Sequence, residues 1–300
     1  MIYTITFNPA LDYVMEVPKY IEGMVNRSKN EKIMAGEKGI NVSIVLSNMG
    51  FENTALGFVA GFTGREIENI LHEKGCKTDF VLLDNGLSRI NVKIKSEKET
   101  EINGQGPVIT ENDIKKLFEK LDNLSDGDAL VLAGSIPPSV SANIYCDIME
   151  HLKHKNINIT VDATGDLLVN TLKYRPFLIK PNNHELGEIF NTNIETRKDA
   201  LFYAKKLQEM GARNVLVSMG SEGAVFMGET GEEYESDAPK GEVINTTGAG
   251  DSMVALFLAG YMETKDFHHA FKMGLCAGSA SAFSDELATK EEILKVYRTL

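Results

Sequence analysis

The stretch Asn245-Thr246-Thr247-Gly248-Ala249-Gly250-Asp251-Ser252 sets a glycine-lined turn directly before a carboxylate and a long run of apolar and small residues that reads as a helix. Residues of these types in this order suit phosphoryl transfer. Glycines let backbone amides approach an anion, and the N-terminus of the following helix adds the positive end of its dipole. An Asp seated there can accept the proton of a hydroxyl about to attack phosphorus. On this reading Gly248, Ala249 and Gly250 shape the anion hole and Asp251 is the base. A bare Gly-x-Gly-Asp also fits an ordinary strand-to-helix loop with Asp at the helix N-cap, so the rest of the chain has to decide.

A second glycine turn, Ala35-Gly36-Glu37-Lys38-Gly39-Ile40-Asn41-Val42-Ser43, again opens an amphipathic pattern, here with Lys38 and Asn41 one turn apart. Its amides, the ammonium and the Asn side chain could together hold the hydroxyls and phosphate of a sugar. A plain glycine-rich helix start with a solvent-facing Lys is the alternative for this motif taken alone.

The elements that must carry these turns alternate. Helical periods at Ile40–Met49, Arg65–Lys74, Glu111–Leu121, Ala142–His154 and Lys198–Met210 are interleaved with strand runs at Thr54–Phe58, Ala129–Ala133, Ile157–Val161, Phe177–Lys180 and Val215–Ser218. This rhythm predicts a doubly wound, mostly parallel sheet flanked by helices, with ligands at the carboxyl ends of the strands. Two stretches break the rhythm. Asp12 to Ala35 has short extended patterns and no helical period, and Ser88 to Ser96 alternates Ile90, Val92 and Ile94 with polar residues before a turn at Glu97–Glu99. They predict a small antiparallel β-sheet lid, formed by about residues 12–35 and 86–105 within a single domain of residues 1–300. Its polar face would cover a ligand, and its apolar face would need burial elsewhere.

Composition narrows the class. A chain of 300 residues with 43% hydrophobic and 25% charged residues can bury a sizeable core. Its net charge of −12 argues against nucleic-acid binding, which needs a basic stripe. No apolar run approaches a bilayer span, so no membrane partner is expected, and Met1-Ile-Tyr-Thr-Ile-Thr-Phe reads as the first strand rather than a secretory leader. Cys76, Cys146 and Cys276 are odd in number and far apart, which points to reduced, buried thiols and a cytoplasmic location. His268 and His269 lack a partner at metal-ligand spacing.

With Asn8-Pro-Ala-Leu-Asp12 added, the motifs resemble the ribokinase-like, PfkB-type family of carbohydrate kinases. The likeness runs through Gly134-Ser135-Ile-Pro-Pro138, Lys180-Pro-Asn182-x-x-Glu185, Ser218-x-Gly220 and Thr247-Gly-Ala-Gly-Asp251, and so covers essentially the whole chain. Val25-Asn-Arg27, Arg89-Ile-Asn-Val-Lys93 and Glu101-Ile-Asn-Gly104 bring it nearest to the phosphosugar kinases acting on fructose 1-phosphate.

The resemblance implies transfer of phosphate from ATP to fructose 1-phosphate, giving fructose 1,6-bisphosphate. Tagatose 6-phosphate and fructose 6-phosphate are rival substrates, and a catalytically silent sugar-phosphate-binding protein is a rival of another class. It implies that Arg27, Lys38 and Arg89 contact the phosphate already on the sugar, that Asp12 and Asn41 hold its hydroxyls, and that Gly36, Gly39, Asn103 and Ser135 complete the substrate site. Lys180, Asn182, Glu185, Ser218, Gly220 and Thr247 would serve the nucleotide, with Glu185 reaching Mg2+, partly through water. Without the family, Asn182-x-x-Glu185 is a helix-start capping pattern. The sequence departs from the family pattern at Glu37, where many relatives carry glycine, and at Asn245, where many carry Asp. The lids are expected to pair two chains into a homodimer.

Overall fold

A computed structural model describes all residues 1–300. Its ten-stranded main sheet runs in the order Glu233–Ser236, Ala224–Met227, Asn214–Ser218, Leu178–Ile179, Asn158–Asp162, Ala129–Ala133, Ile2–Thr6, Asn53–Ala60 and Lys77–Thr78, with Val81–Leu83 extending the last edge. From Asn214–Ser218 to that edge all pairings are parallel; the two strands beyond it are antiparallel.

The central strands are apolar on both faces because helices cover both. Leu130 and Leu132 point into one core with Ile5, Leu56 and Val161, while Ala129, Val131 and Ala133 point into the other with Val254 and Leu258. The second core is closed by the paired helices Ala249–Thr264 and Phe267–Ala282, the first of which is buried over most of its length. It is therefore apolar all round rather than amphipathic. No helix is long and apolar enough to cross a membrane.

The lid is a separate four-stranded sheet in the order Asn30–Gly36, Ala10–Glu16, Arg89–Lys95 and Thr100–Asn103. Each excursion is an antiparallel pair, and the two are joined through a parallel pairing of Ala10–Glu16 with Arg89–Lys95. Both inner strands leave the body in the same direction, which makes their pairing parallel.

The period of two sorts the lid residues. Met34, Asp12, Asn91 and Asn103 form one row across the sheet, and the next row, Ile33, Tyr13, Val92 and Ile102, faces the opposite way. Ile94 is buried on the outer face, beside Met15 of the Ala10–Glu16 strand and Val17 and Tyr20 of the segment that follows it. Ile33 and Ile102 stay 56% and 58% exposed, so this chain covers only part of its apolar lid face.

Candidate active site

The helix Ala249–Thr264 begins where Gly248 adopts the left-handed conformation, with φ 78. Any side chain there would also collide with Leu287, whose Cδ2 lies 2.5 Å from a Cβ at that position. The turn is braced by Asn245, whose Oδ1 accepts the Thr247 amide at 3.0 Å while Nδ2 donates to the Asp285 carbonyl at 3.1 Å. Asn245 thus has a structural role. The Ala249 amide donates to the Thr246 carbonyl at 3.3 Å. Thr247 and Ala249 therefore spend their amides within the loop, and the amides of Gly248, Gly250 and Asp251, which have no protein acceptor, are the ones available to an anion.

Asp251 is buried at the head of that helix, and its Oδ2 accepts a hydrogen bond from Asn41 Nδ2 at 2.7 Å. Burial, and then the negative charge of Asp162, push its carboxyl up to about 6 against the opposing pull of Asn41, Lys38 and Lys180. Asp162, at the carboxyl end of the Asn158–Asp162 strand, accepts Lys38 Nζ at 2.9 Å and lies 3.7 Å from Lys180 Nζ. Burial alone would raise its carboxyl, but the two lysines outweigh burial and hold it below its ordinary range. Lys38 in turn is raised, since Asp162 and Asp251 more than offset its desolvation. Two lysines and two carboxylates are thus packed into one center, all buried except Lys38, whose side chain is 32% exposed, with Asp162 Oδ2 left without a partner. Lys180 reaches the glycine turn itself: its Nζ stands 3.0 Å from where a Cβ on Gly250 would be.

The sugar side is built on the lid. Asp12 accepts Asn91 Nδ2 at 2.9 Å and Lys93 Nζ at 2.9 Å, one on each carboxylate oxygen. Lys93 stays charged because this bond and the Asp12 charge outweigh its desolvation. Gly36 is required beside them, as a Cβ would stand 2.6 Å from Asp12 Oδ2. Gly39 packs equally closely, 2.4 Å from Thr6 Oγ1 by the same measure. Between lid and glycine turn lies a cavity of about 90 Å3 lined by Asp12, Gly36, Asn41, Lys93, Thr247 and Leu287 among others. Lys32 of the lid closes its rim through ion pairs to Asp285 at 3.1 Å and Glu286 at 2.6 Å.

Arg89 Nε donates to the Asn8 carbonyl at 3.0 Å, and its Nη2 pairs with the Glu37 carboxylate. The expected trio of phosphate-binding cations is therefore not a trio here. Lys38 faces Asp162, Arg89 faces Glu37, and Arg27 is exposed on the far side of the lid, in a cleft with Met15, Val17 and Ile94. Arg27 sits there because its loop continues past the lid's outer face. Asn103 shares the site-facing row with Asn91 but stands exposed at the sheet edge, and Ser135 is exposed beside Gly134.

On the nucleotide side, Asn182 Oδ1 accepts the Glu185 amide and Glu185 Oε2 accepts the Asn182 amide, both at 2.8 Å. The capping pattern is thus real, and it fixes Glu185 in the first turn of Asn183–Phe190. The Ser218 amide donates to the Pro181 carbonyl at 3.2 Å, tying the neighbouring strand end to this turn, and Gly220 has open space around it. Lys93, and Asp162 as the anchor of both lysines, are the residues sequence reasoning left out of the site. Asp162 carried a signal, an acid ending a strand in the parallel sheet. Lys93 carried the lid's polar alternation and the end of the Arg89-Ile-Asn-Val-Lys93 motif, with no role assigned to it.

Comparison with known proteins agrees with this architecture. A family model described as pfkB family carbohydrate kinase matches residues 6–293. The chain is 46% identical over 292 residues to the 1-phosphofructokinase of Bacillus subtilis (strain 168), covering 97% of this chain and 95% of that one. It is 36% identical over 288 residues to the D-tagatose-1-phosphate kinase of Bacillus licheniformis, covering 96% and 94%. The structure of phosphofructokinase-2 from Escherichia coli in complex with substrates and products superposes with a TM-score of 0.93 at 26% identity, over 100% of this chain and 99% of that one. A family match of that length takes in every residue of this center and its lid, and the chain belongs to the pfkB family of carbohydrate kinases.

Proposed function

We infer that the protein transfers the γ-phosphoryl group of ATP to the free primary hydroxyl of fructose 1-phosphate, giving fructose 1,6-bisphosphate. The observation that carries the chemistry is Asp251: a buried carboxylate behind a glycine turn, oriented by Asn41, with its carboxyl pushed up to about 6. A base of that strength is mostly ionised at neutral pH yet close enough to it to take a proton in the transition state. Asn41 occupies Oδ2, which leaves Oδ1 for the substrate hydroxyl. The hydroxyl proton passes to Asp251 as the oxygen attacks the γ-phosphorus and ADP departs. Charge on the transferred group is met by the amides of Gly248, Gly250 and Asp251 and by Lys180. The choice of sugar phosphate follows the Bacillus subtilis relative and the lid's polar face, where Asp12, Asn91 and Lys93 offer partners for hydroxyls and Arg89 one for a phosphate.

The nucleotide would lie along Lys180, Asn182, Glu185, Ser218 and Gly220. Mg2+ fits this side of the site. Glu185 commits Oε2 to its helix cap and keeps Oε1, and no cluster of three acidic, His or Cys ligands is present. A hard cation held by few protein oxygens, water and phosphate needs no more. Glu185 Oε1 and water would hold the ion, which would offset phosphate charge there.

Residues 1–300 act as one kinase domain, with about 12–35 and 86–105 as its lid. The exposed apolar row on the lid supports a homodimer formed through the lids. Buried free cysteines support a cytoplasmic setting.

The test is kcat/KM for fructose 1-phosphate, fructose 6-phosphate, tagatose 6-phosphate and tagatose 1-phosphate, followed by ATP consumption. Fructose 1-phosphate is expected to rank first. A higher value for another sugar moves the assignment to it, and no turnover with any of them removes the kinase reading.

A further inference from the structure

Glu37, the residue before the helix Lys38–Met49, has φ 103 and ψ 152. The other non-glycine residues of positive φ, Arg175, Asn191 and Lys265, lie near 50 to 58 in the ordinary left-handed region. Glu37 instead occupies a region that is essentially reserved for glycine. A strained residue in a substrate pocket asks what its side chain is for.

That side chain is committed. It pairs with Arg89, and the two are only 20% and 10% exposed. Arg89 Nε is already held by the Asn8 carbonyl, and the carboxylate takes a further donor, on Nη2. The other oxygen, Oε2, lies 3.3 Å from where a Cβ on Gly134 would stand, next to Ser135. A carboxylate thus sits on the cation that the substrate phosphate is expected to use. Carboxylate and phosphate are both anionic oxygen acceptors that a guanidinium pairs with, so either can occupy the same donors.

We propose that Glu37 is a built-in occupant of the phosphate subsite, a carboxylate that holds Arg89 until the phosphate of the incoming sugar displaces it. This rests on the reading of Arg89 as the phosphate ligand. The two anions cannot share the place, since like charges this close in a buried pocket repel strongly. Binding therefore requires the Glu37 side chain to swing away. The consequence is selection. A bare phosphate must displace Glu37 with Arg89 contacts alone, whereas a sugar phosphate adds the hydroxyl partners on Asp12 and Asn41. The apparent affinity for the sugar phosphate is lowered by the fraction of molecules in which Arg89 is taken.

The experiment is calorimetric binding of fructose 1-phosphate, inorganic phosphate and ATP to the full chain and to Glu37→Gln, Glu37→Gly and Arg89→Ala. Gln keeps the backbone strain and shape but removes the charge; Gly removes both. Both Glu37 variants are expected to bind fructose 1-phosphate about tenfold tighter and to gain measurable phosphate binding, with ATP affinity changed by less than about twofold. If neither tightens, or if both weaken because Glu37 touches the sugar, the proposal is overturned. If only Glu37→Gly tightens, backbone release and not carboxylate displacement is the cause, and the proposal is overturned as well. If Arg89→Ala leaves fructose 1-phosphate binding unchanged, the reading of Arg89 fails and takes the proposal with it. Weaker binding by Arg89→Ala without tightening by the Glu37 variants removes the proposal alone.

Discussion

Replacing Asn41 with Leu keeps the size of the side chain and removes the donor that Asp251 Oδ2 accepts at 2.7 Å. That bond lowers the Asp251 carboxyl, against the burial and the Asp162 charge that push it up to about 6. A hydrogen bond to a charged group is worth about 1.5–3 kcal/mol and one between neutral groups about 0.5–1.5 kcal/mol, so its loss disfavours the carboxylate by about 1–1.5 kcal/mol. At about 1.4 kcal/mol per unit, the pKa moves up by about one, from about 6 to about 7. The active form of a base is the ionised one, so activity is lost from the acid side. Above about pH 8.5 both proteins are ionised, and any deficit of the variant there measures a lost contact to the sugar. Below about pH 5 the variant falls a further factor of about ten behind the wild type. The assay is kcat/KM for the sugar phosphate from acid to alkaline pH at saturating ATP. An acid limb that stays in place, or moves to lower pH, refutes the electrostatic reasoning.

Asp251→Asn is expected to bind substrates and to lose about two to four orders of magnitude in kcat, about 2.7–5.4 kcal/mol of transition-state stabilisation; a variant keeping more than about a tenth of wild-type kcat would take Asp251 out of the base's role. Glu37→Gly and Glu37→Ala both lose the Arg89 pair, but only Gly relaxes φ 103, so urea unfolding should show the Gly variant more stable than the Ala variant by about 1–3 kcal/mol. Equal stability would mean that the turn adjusts without cost. Val92→Asp places a charge in the lid row between Tyr13 and Ile102 and should dissociate the dimer in sedimentation at micromolar concentration. A wild-type monomer, or a dimer indifferent to the charge, sinks lid-mediated pairing.

The parts of this molecule that were readable in its sequence are those fixed by local rules. The parallel strands and their helices follow from runs whose periods of two and 3.6 are satisfied close by, and Glu111–Leu121 and Ala129–Ala133 fall on their expected residues. Likewise, the glycine turn before Asp251 announces itself because a left-handed Gly248 and a tightly packed Gly250 leave no room for other residue types. Pairings between distant segments were less accessible. The antiparallel strands Ala224–Met227 and Glu233–Ser236 went unread, since Glu233–Ser236 is a half-exposed edge with little apolar signal. Lys93 was read as the polar half of an alternation and the end of a family-like motif, without a role; its bond to Asp12 depends on a register between strands 79 residues apart. The expected trio of phosphate-binding cations is spread over three surroundings for the same reason. Which partner a cation meets depends on where two excursions land, and Glu37 reached Arg89 first.

The narrow space under the lid has a kinetic meaning. The cavity of about 90 Å3 between lid and glycine turn is far below the roughly 300–1,000 Å3 typical of ligand pockets, so a sugar phosphate entering from that side should require the lid to part from the turn. What must break is the contact of Lys32 with Asp285 and Glu286, on side chains 36%, 69% and 42% exposed. Ion pairs this wet are weak fasteners and are screened by salt. The opening should therefore respond to the ionic strength around it. Product escape should quicken as salt rises, while the proton transfer at Asp251, sealed from the solvent, does not respond.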